Sequence, residues 1–213
     1  MILLGLGSNL SSSFGDRFKN IDLAISYLKR YKIRLIKKSS YYETPSYPNI
    51  TKPKFINVII AIESNLQPLD LAPILIAIEE TLERKRNHKN DPRTCDIDII
   101  DYNSQIIDFK YKNLDFTVPH KKLVYRNFVL FPLKEILPEW KHPKTKDHIN
   151  ILIRNLSNED KKSILKINKS WYNASMLNQN DLIKKVKTYN RFFNPETLSK
   201  AYTFALNAHK NQK

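Results

Sequence analysis

Cysteine occurs once in this 213-residue chain, at Cys95, so no disulfide can close within it. A lone thiol also fits a reducing, cytoplasmic setting. No apolar run reaches the roughly 20 residues needed to cross a bilayer, so no membrane association is expected. The opening MILLGLGSNL has neither a basic start nor a small-residue cleavage site, and reads as a buried first strand rather than a targeting segment. Acidic residues are in deficit: 21 Asp and Glu stand against 36 Lys and Arg, a formal charge of +15. Such a surface attracts polyanions, whether nucleotide, nucleic acid or acidic membrane, although the abundance of Lys, Asn and Ile also suits an AT-rich coding sequence. Disorder is excluded for the chain as a whole, because 41% hydrophobic and 11% aromatic residues suffice for a core. The length allows one domain of about 150 residues with an appendage.

Glycine is nearly as scarce, and its placement is informative. The three glycines, Gly5, Gly7 and Gly15, all fall within the first fifteen residues. GLGSN after a β-rich start suggests a strand that turns sharply or passes close to a ligand. It is neither a dinucleotide fingerprint nor a Walker loop, since the third glycine and the Gly-Lys-Ser/Thr end are missing. Among the histidines, His88, His142, His148 and His209 have no ligand spacing such as H-x-x-x-H.

Hydrophobic periodicity divides the rest into alternating elements. Met1–Leu6 predicts a strand and Asp16–Tyr31 an amphipathic helix, with Phe18, Ile21, Leu23, Ile25 and Leu28 on its apolar stripe. Arg34–Tyr42 and Lys54–Ser64 predict strands, separated by the proline-rich ETPSYPNITKP. Gln67–Arg84 predicts a second helix and Asp96–Tyr102 a strand. The order βαββαβ predicts an α+β sandwich of the ferredoxin-like kind, with helices packed on one face of a mostly antiparallel sheet. Short strand and helix segments follow to about residue 170.

The segment DPRTCDIDIID, residues 91–101, gathers carboxylates in a strongly basic chain. In a strand Asp96 and Asp98 point the same way, roughly 6.5–7 Å apart, while Cys95, Ile97 and Ile99 face the core. Two like charges on one face repel unless a cation lies between them, and hard divalent ions prefer such oxygen ligands. Arg84, Arg86 and Arg93 approach the same strand, and guanidinium forks suit phosphate oxygens. Carboxylates for metal beside arginines for phosphate make a nucleotide-transfer site. Singly, each feature has a plainer reading, as a solvated face or a helix-end charge.

Six pieces in order decide between these readings: GLGSNL, SSYYETP, FIN, IEETLERKR, DPRTCDIDIIDY and VPHKKLVYRNFVLFPLKEILPEW. Together they resemble the 6-hydroxymethyl-7,8-dihydropterin pyrophosphokinase family over roughly residues 1–165. The resemblance implies transfer of the β,γ-pyrophosphoryl group of ATP to the hydroxymethyl oxygen of the dihydropterin, releasing AMP, in folate biosynthesis. It implies that Asp96 and Asp98 hold two Mg²⁺ ions and that Arg84 and Arg93 share the catalytic work with them. Glu79, Arg84, Arg86, Lys89, Arg93 and His120 correspond to the ATP site. Thr44, Pro45, Tyr47, Phe55, Asn57, Arg126 and Phe128 correspond to the pterin pocket, with Phe55 and Phe128 sandwiching the ring and Asn57 meeting its amide-like edge. Asp98 is a candidate proton acceptor, weakened by any metal it holds. A monomer is expected, with no nucleic-acid partner.

The chain departs from the family pattern after Arg86, where NHKND replaces a tryptophan-bearing approach, and at Glu83, which stands where a glycine is common. Two further readings stand beside the enzyme: a degenerate relative whose shortened loop does not close, and a basic RNA-binding module on the same sheet architecture. Against the second, no strand carries the Gly-framed aromatics used for base stacking. The remainder reads as a junction at 166–175 and a helical segment at 176–213. The latter resembles the truncated start of the long alarmone synthetase-hydrolases, through its A-Y-x-F-A-x-x-A-H pattern. Met176 precedes it, and an in-frame joining of two genes, with Trp171–Ser175 as junction, is the expectation; no independent activity is expected there.

Overall fold

The computed structural model describes residues 1–86 and 91–168, with 183, 186, 194, 196–201 and 203 beyond them. Met1–Lys166 is one compact unit and Ile167–Lys213 a second. In the second unit, described residues such as 196–201 are helical, while the junction Trp171–Ser175 and most of the helical segment expected at 176–213 lie outside the described residues.

The first unit runs β1 (Ile2–Ser8), α1 (Arg17–Arg30), β2 (Arg34–Lys38), β3 (Tyr41–Thr44), β4 (Phe55–Glu63), α2 (Pro68–Thr81) and β5 (Asp96–Tyr102). There follow a hairpin of β6 (Ile107–Tyr111) and β7 (Leu114–Val118), helices α3 (Asn127–Ile136), α4 (Ile149–Asn155) and α5 (Asn158–Lys162), and an edge strand β8 (Leu165–Ile167). The main sheet has the order β5-β1-β4-β3-β8, with β2 also paired to β4. Strands β1 and β5 and strands β1 and β4 run antiparallel, as do β4 and its two partners β2 and β3. This is the α+β, ferredoxin-like arrangement expected.

Local chemistry sets the boundaries. Asp16 caps α1 by accepting from the Lys19 amide at 2.8 Å, and Lys29 and Arg30 complement the dipole at its end. Its buried stripe is Phe18, Ile21, Ala24, Ile25 and Leu28; Ala24 rather than Leu23 completes it, because i, i+3, i+4 and i+7 share one side of a helix. Helix α2 starts with Pro68 at its first turn and stops at Thr81, three residues short of Arg84, because Glu83 has φ +65°. The strand expected over Arg34–Tyr42 is broken: Ser39 donates its amide to the Ile59 carbonyl at 2.9 Å and its hydroxyl accepts from the Ile59 amide at 3.0 Å. A side chain takes over a ladder position, and the register slips by one residue between β2 and β3.

Both crossover helices lie against the face formed by Leu4, Leu6, Val58, Ile60, Ile97 and Ile99. On the opposite face Leu3, Ile59, Ala61 and Ile100 join Leu130, Leu133, Trp140 and Leu152 in a second core built by α3 and α4. Helices thus cover both sides of the sheet, which the two-helix pattern did not foresee. The register of β1 against β5 shifts between Leu3 and Leu4, so that Ile100 and Asp101 bulge toward α3. There the buried Asp101 accepts from Trp140 Nε1 at 2.8 Å.

Glu135 of α3 ties the second layer to the sheet edge. It accepts from the Ser40 hydroxyl and the Tyr42 phenol, each at 2.8 Å, and pairs with Lys166 at 3.3 Å. Against the upward push of partial burial, the hydrogen bonds from Tyr42 and Ser40 hold its carboxyl below the ordinary range. An acid depressed on folding stabilises above its unfolded pKa and loses that contribution as pH falls through its folded one. Glu135→Ala is therefore expected to cost about 1–3 kcal/mol at pH 7 in urea denaturation, with a difference that shrinks in acid. A pH-independent difference would count against the clamp.

Candidate active site

Strand β1 carries glycine where its neighbours carry functional side chains. Gly7 lies opposite Asn57 on one side and Asp96 on the other, and Gly5 opposite Ile59 and Asp98. A Cβ on Gly7 would stand 3.3 Å from Asn57 Oδ1 and 3.5 Å from Phe55; one on Gly5 would press on Ile100 at 3.1 Å. Bare backbone there leaves the floor of a cleft of about 720 Å³, walled by the Thr44–Ile50 loop, Phe55, Arg93, Arg126, Phe128 and the turn of α5. The sequence suggested a sharp turn or a close approach to a ligand at these glycines; the register shows that they clear the floor of the cleft.

Asp96 and Asp98 emerge on that floor with Ile97 buried behind them. Each is met by arginine. Asp96 pairs with Arg84 at 2.5 Å and with Arg93 Nε at 3.1 Å, and Asp98 with Arg126 at 3.2 Å. Burial alone would raise the Asp96 pKa, yet Arg93 and Arg84 hold it below the usual carboxylate range. Glu79, expected at the nucleotide, lies instead behind the arginines. It is 2% exposed, pairs with both Arg84 and Arg86, and accepts from the Ile97 amide at 2.7 Å. Burial pushes its carboxyl up to about 7, against the opposing pull of Arg84. In that place it orients the guanidinium groups of Arg84 and Arg86.

The other half of the cleft is aromatic. Phe55 and Phe128 are half-buried lining residues, Phe128 also packing against the second core, and an arginine covers each: Arg93 lies 5.2 Å from the Phe55 ring centre and Arg126 5.4 Å from that of Phe128. Asn57 is fixed by donating to Thr44 Oγ1 at 3.0 Å. Pro45 and Tyr47 form the rim, with Tyr47 85% exposed. His120 sits near Asp98, and burial lowers its pKa despite that charge. Its Nδ1 accepts from the Lys122 amide at 3.1 Å, which leaves the neutral ring a donor at Nε2. Cys95 is a fully buried thiol whose pKa burial raises well above its ordinary value, so it has no nucleophilic role. Lys89 and the tryptophan-free stretch 87–90 lie outside the described residues.

Asn9 was not singled out in the sequence. Its Oδ1 accepts from the Arg93 amide at 2.6 Å, its own amide donates to the Arg93 carbonyl at 3.0 Å, and its Nδ2 reaches the Pro53 carbonyl at 3.0 Å. One buried amide thereby joins the arginine loop to the rim loop. The available signal was an asparagine closing GLGSN, a residue type that bonds neighbouring backbone.

The family model for 7,8-dihydro-6-hydroxymethylpterin-pyrophosphokinase matches residues 3–138. The chain belongs to this family. A 2-amino-4-hydroxy-6-hydroxymethyldihydropteridine pyrophosphokinase of Synechocystis is 34% identical over 144 residues, 67% of this chain and 69% of that one. Its Pseudomonas aeruginosa namesake is 33% identical, over 67% of this chain and 83% of that one. The chain spans only 23% of the Dictyostelium discoideum folic acid synthesis protein FOL1, to which it is 34% identical over 160 residues. In fold it is similar to the Plasmodium falciparum HPPK-DHPS A437G variant solved with pteroate, with a TM-score of 0.62 at 16% identity, over 78% of this chain and 46% of that one.

Among the described residues no cluster of three or more His, Cys, Asp or Glu could cage a metal. Two carboxylates on one face still fit Mg²⁺, which is commonly bound by one or two carboxylates, waters and substrate phosphate. Glu79→Ala would leave Arg84 and Arg86 short of a buried partner. We expect it to cost about 3–5 kcal/mol in chemical denaturation, and a variant as stable as the parent would refute the underpinning role.

Proposed function

We propose that this protein transfers the β,γ-pyrophosphoryl group of Mg²⁺-bound ATP to the hydroxymethyl oxygen of 6-hydroxymethyl-7,8-dihydropterin. The observation that carries the reading is a single cleft in which an acid and arginine floor runs into an aromatic, amide-edged end. Relatives bearing the pyrophosphokinase name support it.

In this reading Phe55 and Phe128 hold the flat ring and Asn57 meets its edge, the aromatic faces supplying apolar area and the fixed amide supplying direction. The hydroxymethyl oxygen forms a bond to the β-phosphorus while the bond from that phosphorus to the α,β-bridging oxygen breaks. AMP leaves with the bridging oxygen, and the hydroxyl proton passes to solvent. Arg84, Arg93 and Arg86 bind phosphate oxygens and stabilise charge as it moves toward the leaving AMP. His120 Nε2 donates to phosphate without adding charge. Asp96 and Asp98 would hold two Mg²⁺ ions, which neutralise phosphate charge and fix its orientation when bound. Asp98, already paired with Arg126, is a poor proton acceptor.

AMP release from Mg·ATP with 6-hydroxymethyl-7,8-dihydropterin, followed by HPLC, tests the proposal. Pterin-dependent AMP is expected from the full chain. Asp96→Ala/Asp98→Ala should lose at least about a thousandfold in rate while staying folded, since the charges that position phosphate are gone. Phe55→Ala should instead raise KM for the pterin and leave KM for ATP near its parent value. Folded protein with no pterin-dependent AMP would overturn the assignment, leaving a relative that binds without turnover or a basic module to be tried on RNA.

A further inference from the structure

The arginines read as the phosphate site, Arg84, Arg86 and Arg93, come from two short segments, and both segments are fastened to one loop. At one end Asn9 and Leu10 donate their amides to the Arg93 carbonyl at 3.0 and 3.2 Å. At the other, Ser13 donates its amide to Glu83 Oε2 at 3.0 Å and its hydroxyl to Glu83 Oε1. Between these anchors the loop is stiffened from within. Ser12 and Gly15 exchange backbone hydrogen bonds at 2.9 and 3.2 Å, the Ser12 hydroxyl donates to Asn20 Oδ1 at 2.6 Å, and Asn20 returns a bond to the Leu10 carbonyl at 3.0 Å.

Glu83 is an unusual residue for that position. Its φ of +65° lies in the left-handed region, which disfavours any residue with a Cβ. A glycine would adopt it freely, yet only the glutamate can reach Ser13. Hydrogen bonding from the Ser13 hydroxyl and amide also lowers its pKa, so the contact is to a carboxylate. The amide of the next residue, Arg84, is bonded to the Glu79 carbonyl at 3.0 Å, so the Ser13 contact fixes the chain one residue before the guanidinium that meets Asp96.

We infer that the Asn9–Gly15 loop is a bracket that holds the phosphate arginines in register, and that Ser13 and Glu83 are positioning residues for the nucleotide. The inference rests on the reading of these arginines as the ATP phosphate site. The geometry gives the pair no part in the aromatic half of the cleft, which is lined by other loops. Two losses therefore separate at this end of the bracket: nucleotide affinity depends on the Ser13–Glu83 contact and pterin affinity does not.

Ser13→Ala removes one donor and leaves every backbone angle in place, while Glu83→Gly removes the carboxylate and relaxes the left-handed residue. In full-length protein we would measure calorimetric binding of the α,β-methylene analogue of ATP with Mg²⁺, KM for the pterin, melting temperature, and hydrogen exchange of the 84–86 amides. Both variants should weaken the analogue about tenfold, as expected for loss of a charge-assisted contact that preorganises a site, and should speed exchange at 84–86. Pterin KM should stay unchanged, and Glu83→Gly should melt no lower than the parent. Unchanged analogue affinity, or equal losses for analogue and pterin, would overturn the bracket. Parent protein that binds the analogue but forms no AMP would overturn the proposed reaction and leave the bracket standing on its affinity and exchange results.

Discussion

Asp96 and Asp98 stand on one strand face, and like charges at that spacing are tolerable only because arginines from three separate segments converge on them. Arg84 follows α2, Arg93 precedes β5 and Arg126 precedes α3, so the electrostatics of one strand depend on the whole fold closing correctly. Each arginine is in turn held from behind. Glu79 orients Arg84 from inside the core, and Asn9 grips the backbone of Arg93. A buried glutamate would be a liability with one partner removed; with two guanidinium groups and a backbone amide it fixes the direction of the positive charge. The register of β1 against β5 completes the arrangement, because a slip of one residue would send both carboxylates into the α1 and α2 core.

Space is the second constraint. A cleft on the face of a sheet can exist only where side chains are missing, and β1 supplies that by carrying Gly5 and Gly7 on its cleft side and Leu4 and Leu6 on the other. The same strand is therefore core on one face and floor on the other, an economy that explains why so few glycines are enough. The helices α3 and α4 then close the rest of that face with Leu130, Leu133 and Trp140. Phe128, at the start of α3, is brought to the cleft by the packing that buries its neighbours Val129 and Leu130. The aromatic end of the cleft is thus a by-product of the second core rather than an independent loop feature.

Much of this was legible in the sequence because it follows two simple periods. Alternation in DIDII put both carboxylates on one side, and the βαββαβ order gave the sheet and its two crossover helices. The readings that failed are those where a side chain intervenes in backbone geometry. Ser39 substitutes for a ladder partner and splits one expected strand into β2 and β3. Glu83 ends α2 early in a conformation normally left to glycine. The bulge at Ile100 and Asp101 turns two consecutive residues to one side, so alternation could not place the buried carboxylate that holds Trp140. The depth of Glu79 was not legible either, because an acidic residue on α2 says nothing about its burial. Asn9 was passed over because its partners Arg93 and Pro53 are distant in sequence, and no local pattern encodes that.

Arginines alone would bind a polyphosphate, so the presence of the acids requires its own explanation. With Asp96 and Asp98 set against Arg84, Arg86, Arg93 and Arg126, and Glu79 pushed up to about 7, the cluster carries a small excess of positive charge. ATP entering without metal would bring its phosphates against two carboxylates and disrupt the pairs that satisfy them. Under the proposed reaction, ATP entering with Mg²⁺ would add little net charge, the carboxylates would exchange a guanidinium partner for a metal, and the arginines a carboxylate for a phosphate. Each of these groups would leave one partner for another of the same sign, so the desolvation already met in folding would not be met again on binding. Under the proposed reaction, the resting salt bridges are placeholders for the substrate complex. In that reading the acids would select the metal-bound form of the nucleotide, the form that has its phosphate charge neutralised before the oxygen approaches.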